Sequence, residues 1–472
     1  MADTIIQQFA DFTLKAKFAD LPADIVQETK MILMDAIGCA LVATQTDKGK
    51  INLSLARRFG GPPEASVIGS GYKVALSTAT LVNGELMFTP EYISMIAGGN
   101  EPSYVLPAIL SMAESTGAPG KEWILSTAIG LEISTRLARA TLRQIIDPRE
   151  VQPKLIAHNL KRHGNAYSNF GAAAGAGRLL GLDRIQLAHA LGIAGHLCIV
   201  MTHGRYGSAG KRWTLKFGAP GFQSLGAISA ALYAQAGYTG DLTQLDDLEN
   251  GFWYFTAYQE WYPQHITENL GKSWLFNYRM HFKPYPSCSM WHTQLDCFYE
   301  ILNKYNLTHD EIESVHVTAM VPLDHPLYGN KDLNEICDAQ FNARYLFSVA
   351  AHRVKIGIDW LDPETFKNPS IIKFMDKVTW EGSHWPSPSG PVAPLRVEVK
   401  ARGQKFVAEK DNGQGHGRSG TQSAMTQDEL ADKFRHNAAR VLTQRKIDKA
   451  IKLFIDLENV KNVQEVMKEV TQ

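Results

Sequence analysis

The sequence predicts a mainly α protein, in which a large all-helical domain is built from both chain ends and a smaller α+β domain is inserted between them. Three observations predict it. Up to about residue 270 the apolar residues recur at helical spacing and almost nothing alternates. Beyond that point Ser314–Val321 and Leu395–Val399 alternate apolar and polar residues, as half-exposed strands do. From Thr426 the helical spacing returns, opened by a capping box, Thr426–Glu429. The expected segments are 1–271 and 413–472 for the helical domain and 272–412 for the insertion.

A chain of 472 residues is too long for one ordinary core, so two domains are expected. Lys+Arg and Asp+Glu number 48 each and no long basic run occurs, which argues against nucleic acid or an anionic membrane as the main partner. No uninterrupted apolar window is long enough to span a bilayer. Met1–Asp20 carries Asp3, Asp11 and Asp20 and no long apolar stretch, so it does not read as a signal peptide. The five cysteines are scattered and form no CxxC pair. Neither a disulfide framework nor a zinc ribbon is expected, and a reducing cytoplasm fits best.

Ile5–Lys17 and Ile25–Val42 read as helices, with Asp24 a cap for the second. Pro62-Pro63 and Gly69–Gly71 break the chain around a short apolar piece, Ala65–Ile68. Ala75–Met87 is helical, and Phe88–Pro102 is a loop, because Pro90, Gly98-Gly99 and Pro102 forbid a long helix. Val105–Ser115 and Lys121–Arg143 return to helix, and 144–165 is polar and irregular. Asn169–Leu182 places Gly171 and Gly175 at i, i+4, which allows close helix packing. It follows no strand and forms no GxGxxG loop, so a dinucleotide site is rejected. Arg184–Val200 and Phe222–Gln235 complete the first helical part. In the insertion, Met290–Tyr305 and Asp338–His352 read as helices and His384–Pro394 as a Pro-rich connector.

Four patches carry candidate chemistry. The stretch 203–221, HGRYGSAGKRWTLKFGAPG, crowds Lys211, Arg212 and Lys216 among five glycines and begins with His203. A cation on such a loop, at the head of a buried helix, can approach an anion closely. The alternative is a loop lysine whose stem packs while its head reaches water. Lys161-Arg162-His163 precedes the small-residue helix. Lys283-Pro284-Tyr285-Pro286-Ser287-Cys288, with His292, locks a phenol between two prolines. The loop Glu91–Glu101 offers carboxylates. Cations that hold carboxylates, with groups that move protons, suit chemistry at a carbon α to a carboxylate. Like-charge repulsion from Arg212 would lower the pKa of Lys211 and make it a base. No metal-ligand spacing appears, so no metal is expected.

These residues resemble the MmgE/PrpD family of 2-methylcitrate dehydratases, cis-aconitate decarboxylases and iminodisuccinate epimerase. The resemblance runs through Leu33-Met34-Asp35-Ala36-Ile37-Gly38-Cys39-Ala40, Asn83-Gly84, Gly171–Ala174 with Leu179–Leu182, and Lys211-Arg212. It continues through Gly237-Tyr238-Thr239-Gly240, the 283–288 segment with His292, Ala339-Gln340-Phe341 and Lys433-Phe434. The resemblance implies a helical domain, an α+β lid, an active site in the cleft between them, a homodimer, and no metal or organic cofactor. It implies Lys211 as the active-site lysine and Tyr285 as the contribution of the lid. The family histidine falls at Arg162 by strict spacing and at His163 with a shift of one.

The 88–101 loop departs from the family pattern. Where the family has HxxDxDD, Phe88 stands for the histidine, Glu91 for the first aspartate and Ile93-Ser94 for the aspartate pair; Glu101 stands for a later histidine. The expected function is a cofactor-independent lyase, a dehydratase or decarboxylase, that removes an α-proton from a small carboxylic acid. Lys211, Tyr285, His163 and Glu91 are the expected catalytic groups. Arg212, Arg162, His203, Glu101 and His292 are the expected substrate contacts. The altered loop keeps two alternatives open: an epimerase or isomerase using two proton-transfer groups, and an inactive ligand-binding member. Phe88, Tyr92, Met95 and Ile96 also make the loop more apolar than a tricarboxylate site requires.

Overall fold

The computed structural model describes residues 3–96, 99–141, 165–200, 213–216, 218–256, 258, 261–278, 280–319, 327–382, 395–410 and 422–472. The protein is mainly α, as the helical spacing predicts. The first part of the chain runs through α1 (Ile5–Lys15), α2 (Ala23–Ala43), α3 (Asp47–Phe59), α4 (Leu76–Phe88), α5 (Glu101–Ser115) and α6 (Gly120–Thr141). It continues with α7 (Ser168–Leu179), α8 (Arg184–His196) and α9 (Pro220–Gln235). Helix α2 is the axis of this core: every residue from Glu28 to Ala43 is buried. A helix apolar on all sides belongs inside a large protein. None of the helices among the described residues is long and apolar enough to cross a membrane.

Small residues set the helix spacing in this core. A Cβ on Gly171 of α7 would overlap the Gly130 carbonyl of α6, so the two backbones meet at that glycine pair. Gly84 of α4 and Gly221 of α9 stand in the same relation. Asn83, beside Gly84, accepts the Ile68 N–H at 3.0 Å and donates to the Ser66 carbonyl at 2.9 Å. It thereby pins a short antiparallel ribbon, β1 (Ala65–Ser66) with β2 (Lys73–Val74), where the sequence reading had only an apolar piece.

A second core takes Val42 from α2 and otherwise begins at Tyr285. It contains α10 (His292–Lys304), α11 (Ile336–Phe341), α12 (Ala343–Ala351) and strands β3 (Ile312–Ala319), β4 (Val378–Gly382), β5 (Leu395–Ala401) and β6 (Gln404–Lys410). The sheet order is β4-β3-β5-β6, with β3 parallel to β4 and the other pairs antiparallel. Val315, Val317, Val397 and Val399 turn inward against Leu295, Phe298 and Leu302 of α10. Arg402 and Gly403, with φ of 54° and 69°, make the two-residue hairpin between β5 and β6.

Alternation finds β3 and β5; β4 and β6 carry weaker alternation and are absent from the sequence reading. The segment 338–352, read as one helix, breaks at Asn342, whose side chain accepts the Tyr345 N–H at 3.0 Å and caps α12. Helix α5 starts at Glu101 rather than after Pro102, since proline is well suited to the first turn. The connector 384–394 lies outside the described residues.

The chain then forms α13 (Gln427–Ala438) and α14 (Gln444–Ile455). The Thr426 capping box closes α13 as the sequence predicts: Glu429 N–H donates to Thr426 Oγ1 at 3.2 Å and Thr426 N–H to Glu429 Oε2 at 2.7 Å. Leu430, Phe434, Ile447 and Phe454 pack into the same core as α2.

Candidate active site

Helix α4 ends at Phe88, and the chain turns sharply so that Glu91 has φ 52°. Lys216, from the segment before α9, has φ 62°. Left-handed conformations at non-glycine residues cost of order 1 kcal/mol each, so the surrounding contacts must hold them. They do: Glu91 Oε2 lies 2.6 Å from Lys216 Nζ, and Glu91 Oε1 lies 2.6 Å from Lys283 Nζ. Lys216 also donates to the Phe88 carbonyl at 2.9 Å and sits 4.2 Å from the centre of the Phe88 ring. Lys283 donates to the Glu91 carbonyl at 3.2 Å. All three side chains are buried. A neighbouring buried pair, Lys48 with Glu85, closes at 2.9 Å.

Two ammoniums share one carboxylate. Burial alone would raise the Glu91 carboxyl, but Lys216 and Lys283 together bring it down to about 2. Burial outweighs Glu91 at Lys216, whose ammonium is lowered to about 8; Lys48 and Lys283 push the same way. A buried lysine of this kind supplies free amine near neutral pH.

Lys216 also lines a cavity of about 410 Å³ between the two cores. Lys48 and Thr89 line its first-core side; Asn334, Glu335, Cys337 and Leu361 line the other. Gln340 stitches the two sides together. Its Nε2 donates to the Thr89 carbonyl at 2.9 Å, and its own carbonyl accepts the Cys288 N–H at 2.9 Å.

The sequence-predicted groups divide. Glu91 is at the centre of the cluster. Glu101 opens α5, wholly buried, and accepts the Tyr167 hydroxyl at 2.6 Å. The Tyr104 phenol lies among Glu85, Glu101 and Glu91; burial and these charges push its pKa up. Tyr285 is on the segment that carries Lys283, but it points into the second core. Its hydroxyl donates to Asp296 at 2.7 Å, and its ring stacks on Trp360 at 5.5 Å. Burial first, and then the Asp296 charge, hold its phenol well above the ordinary range. His292 is fully buried, with Nδ1 3.2 Å from His281 Nε2 and Nε2 3.2 Å from Ser287 Oγ. Lys211, Arg212, His163, Arg162 and His203 lie outside the described residues.

Lys216 and Lys283 were given no role from sequence. The signal for Lys216 was its place five residues after Lys211 in the glycine-rich stretch, and Lys283 opens the Pro-Tyr-Pro segment. Neither position reveals a shared carboxylate partner. Among the described residues no group of three or more His, Cys, Asp or Glu is arranged to hold a metal ion.

Residues 7–263 match the MmgE/PrpD N-terminal domain and residues 285–457 the MmgE/PrpD C-terminal domain. The chain is similar to the cis-aconitate decarboxylase of Homo sapiens, 22% identical over 475 residues, covering 98% of this chain and 93% of that protein. The mouse protein of the same name is 21% identical over 484 residues, covering 98% and 92%. The cis-aconitate decarboxylase of Aspergillus terreus is 26% identical over 324 residues, covering 63% and 61%. The two domain matches follow each other along most of the sequence, with Glu91 and Lys216 inside the first and Lys283 just before the second: the chain belongs to the MmgE/PrpD family.

Proposed function

We propose that this chain is a lyase, a dehydratase or decarboxylase, that removes the α-proton of a small carboxylic acid in the cavity between the two cores. The observation that carries the reading is the buried Lys216–Glu91–Lys283 cluster beside that cavity. In a dehydration Lys216 as free amine takes the α-proton, the C–H electron pair forms the C=C bond, and the β-hydroxyl leaves as water with the proton that the Lys216 ammonium returns. In a decarboxylation the C–C bond to the carboxylate breaks, CO₂ leaves, and the Lys216 ammonium protonates the carbon left behind. The Lys48 ammonium, which lines the same cavity, faces the substrate carboxylate as negative charge builds on it, and Lys283 holds Glu91 from behind. Such stabilisation is strongest where water is excluded. Glu91 holds the two lysines apart and in register. Lys211 remains a second candidate base, with Arg212 as a carboxylate clamp and His163 as a helper. The names of the relatives support the lyase class.

The proposed architecture is a helical body, 1–271 with 413–472, and a lid, 272–412. The proposed working form is a cytoplasmic homodimer that needs no metal or organic cofactor. A second reading, an epimerase using two proton-transfer groups, is motivated by the altered 88–101 loop, where Phe88 and Ile93-Ser94 stand for the family's histidine and aspartate pair.

The test is NMR in D₂O with a panel of mono-, di- and tricarboxylates, together with longer acyl and aromatic acids. A new C=C signal or release of CO₂ supports the lyase. Deuterium entering the α position without net loss of substrate supports the epimerase. No exchange with any acid overturns both and leaves a ligand-binding member of the family.

A further inference from the structure

Helix α13 brings Lys433 under the candidate site from the far end of the chain. Its ammonium is buried and makes three polar contacts: Asp35 Oδ1 at 2.7 Å, the Tyr92 carbonyl at 2.6 Å and the Lys283 carbonyl at 3.0 Å. Asp35 Oδ2 accepts the Ser94 N–H at 2.7 Å. The Tyr92 ring lies 3.7 Å from the same ammonium. Tyr92 follows Glu91 in sequence, and Lys283 is the partner of Glu91 in space. One ammonium therefore ties together the two backbone segments that deliver the carboxylate and one of its lysines. Met95 and His281 join the same segments through a reciprocal pair of backbone hydrogen bonds, 2.8 and 2.9 Å.

We propose that Lys433, held by Asp35, is a positioning residue of the active site: it sets the spacing of Glu91 and Lys283 without touching substrate. The proposal rests on reading the Lys216–Glu91–Lys283 cluster as the active site. Lys433 is not among the described residues lining the cavity beside Lys216. Packing alone would not call for an ion pair here, because a buried pair can be replaced by apolar side chains of similar volume with little loss of stability. Directed bonds to two carbonyls, in contrast, specify a geometry. Glu91 needs that support, since its backbone holds a left-handed conformation. One turn further along, the same helix reaches the second core. His436 Nε2 lies 2.6 Å from Asp359 Oδ2, and Arg440, just past the helix, pairs with Asp359 at 2.8 Å and Asp362 at 2.7 Å. Helix α13 thus joins the backbone of the site to the opposite wall of the cavity.

The test uses the full chain with Asp35→Asn/Lys433→Met, which removes both charges and leaves no buried ion alone. Folding is checked by circular dichroism and a cooperative melt. Glu91 is followed by ¹³C NMR, and α-proton exchange supplies the kinetics. Loosening Lys283 from Glu91 is expected to raise the Glu91 carboxyl from about 2 toward the ordinary carboxylate range. It is expected to lower kcat about 100-fold while KM stays within a fewfold, the signature of misplaced groups rather than lost binding. Lys433→Arg, which keeps the charge and the donors, is expected to recover part of both. A folded double variant with wild-type Glu91 titration and wild-type kcat overturns the proposal. If the wild-type chain exchanges no proton on any acid, the lyase reading fails, and the Glu91 titration alone still decides the positioning role.

Discussion

Two buried glutamates teach opposite lessons. Glu132, in the middle of α6, meets one cation: its Oε1 lies 2.6 Å from Arg136 Nε, and its Oε2 accepts the Leu275 and Phe276 N–H groups at 2.7 and 3.1 Å. Arg136 in turn donates to the carbonyls of Ile266, Glu268, Asn269 and Ser273. The pair is charge-matched and absorbed in holding one stretch of backbone. Glu91 meets two cations, and one of them lines the cavity. Burial raises the Glu132 carboxyl despite Arg136, whereas two lysines overcome burial and bring Glu91 to about 2. Buried charge does not mark a site by itself. An uneven charge count beside a cavity is what makes the Glu91 cluster the candidate.

The comparison can be broken by experiment, and the largest effect should come first. Lys216→Ala is expected to reduce turnover by about 10³-fold or more while the chain stays folded, within the range for loss of a general base. Near-wild-type turnover would remove Lys216 as the base. Lys211→Ala run alongside tests the other lysine, whose assignment fails if its turnover stays within a fewfold of wild type. Arg136→Met should do the reverse. Leaving Glu132 without its cation is expected to cost about 3–5 kcal/mol of stability, with the folded fraction retaining its specific activity. A chemical-denaturation series with activity measured at each point separates the two effects.

Acid behaviour sharpens the contrast further. The Glu91 carboxyl is depressed in the folded state, so its contribution to stability is full above its ordinary value of 4.5 and is lost as pH falls toward about 2. The Glu132 carboxyl is raised, so its contribution falls as pH rises through 4.5 and above. Acid unfolding of Glu91→Gln should therefore show a flatter acid limb than wild type, and Glu132→Gln a steeper one. In the base-catalysed reading, kcat/KM should climb tenfold per pH unit below about 8 and level off above it, as Lys216 loses its proton. A flat profile through that range would exclude the Lys216 amine. The smallest effect belongs to an exposed pair: Lys15→Ala, which breaks the contact with Asp11 at 3.2 Å, should change stability by less than ~1 kcal/mol.

Much of the fold was legible. The helical spacing found α2, α4, α6 and α9 to within a few residues, because each carries enough apolar side chains to reveal its period. The Thr426 box was readable because capping needs only residues three apart. Strand β4 was not, since its pairing depends on β3, distant in sequence, and β6 was not, since QKFVAEK is mostly exposed and barely alternates although its partner β5 is only a hairpin away. The site was half legible. Glu91 stood out as a carboxylate in an otherwise apolar loop. Tyr285 read as a phenol presented to the cleft, but its hydroxyl is taken by Asp296, one helix away.

The amino-acid sequence by itself determined the helix-rich architecture, the close helix packing at Gly171 and Gly175, and the family to which the chain belongs. Those properties are local or cumulative: periodicity, caps, and many weak matches in a fixed order. Tertiary structure alone decided which charges meet. Lys216, Lys283 and Lys433 are ordinary lysines in sequence. Burial and a few ångströms make the first two share Glu91 and set the third beneath them on Asp35. The physical reason is that a charge takes its energy from every neighbour in space, and no short stretch of chain contains those neighbours.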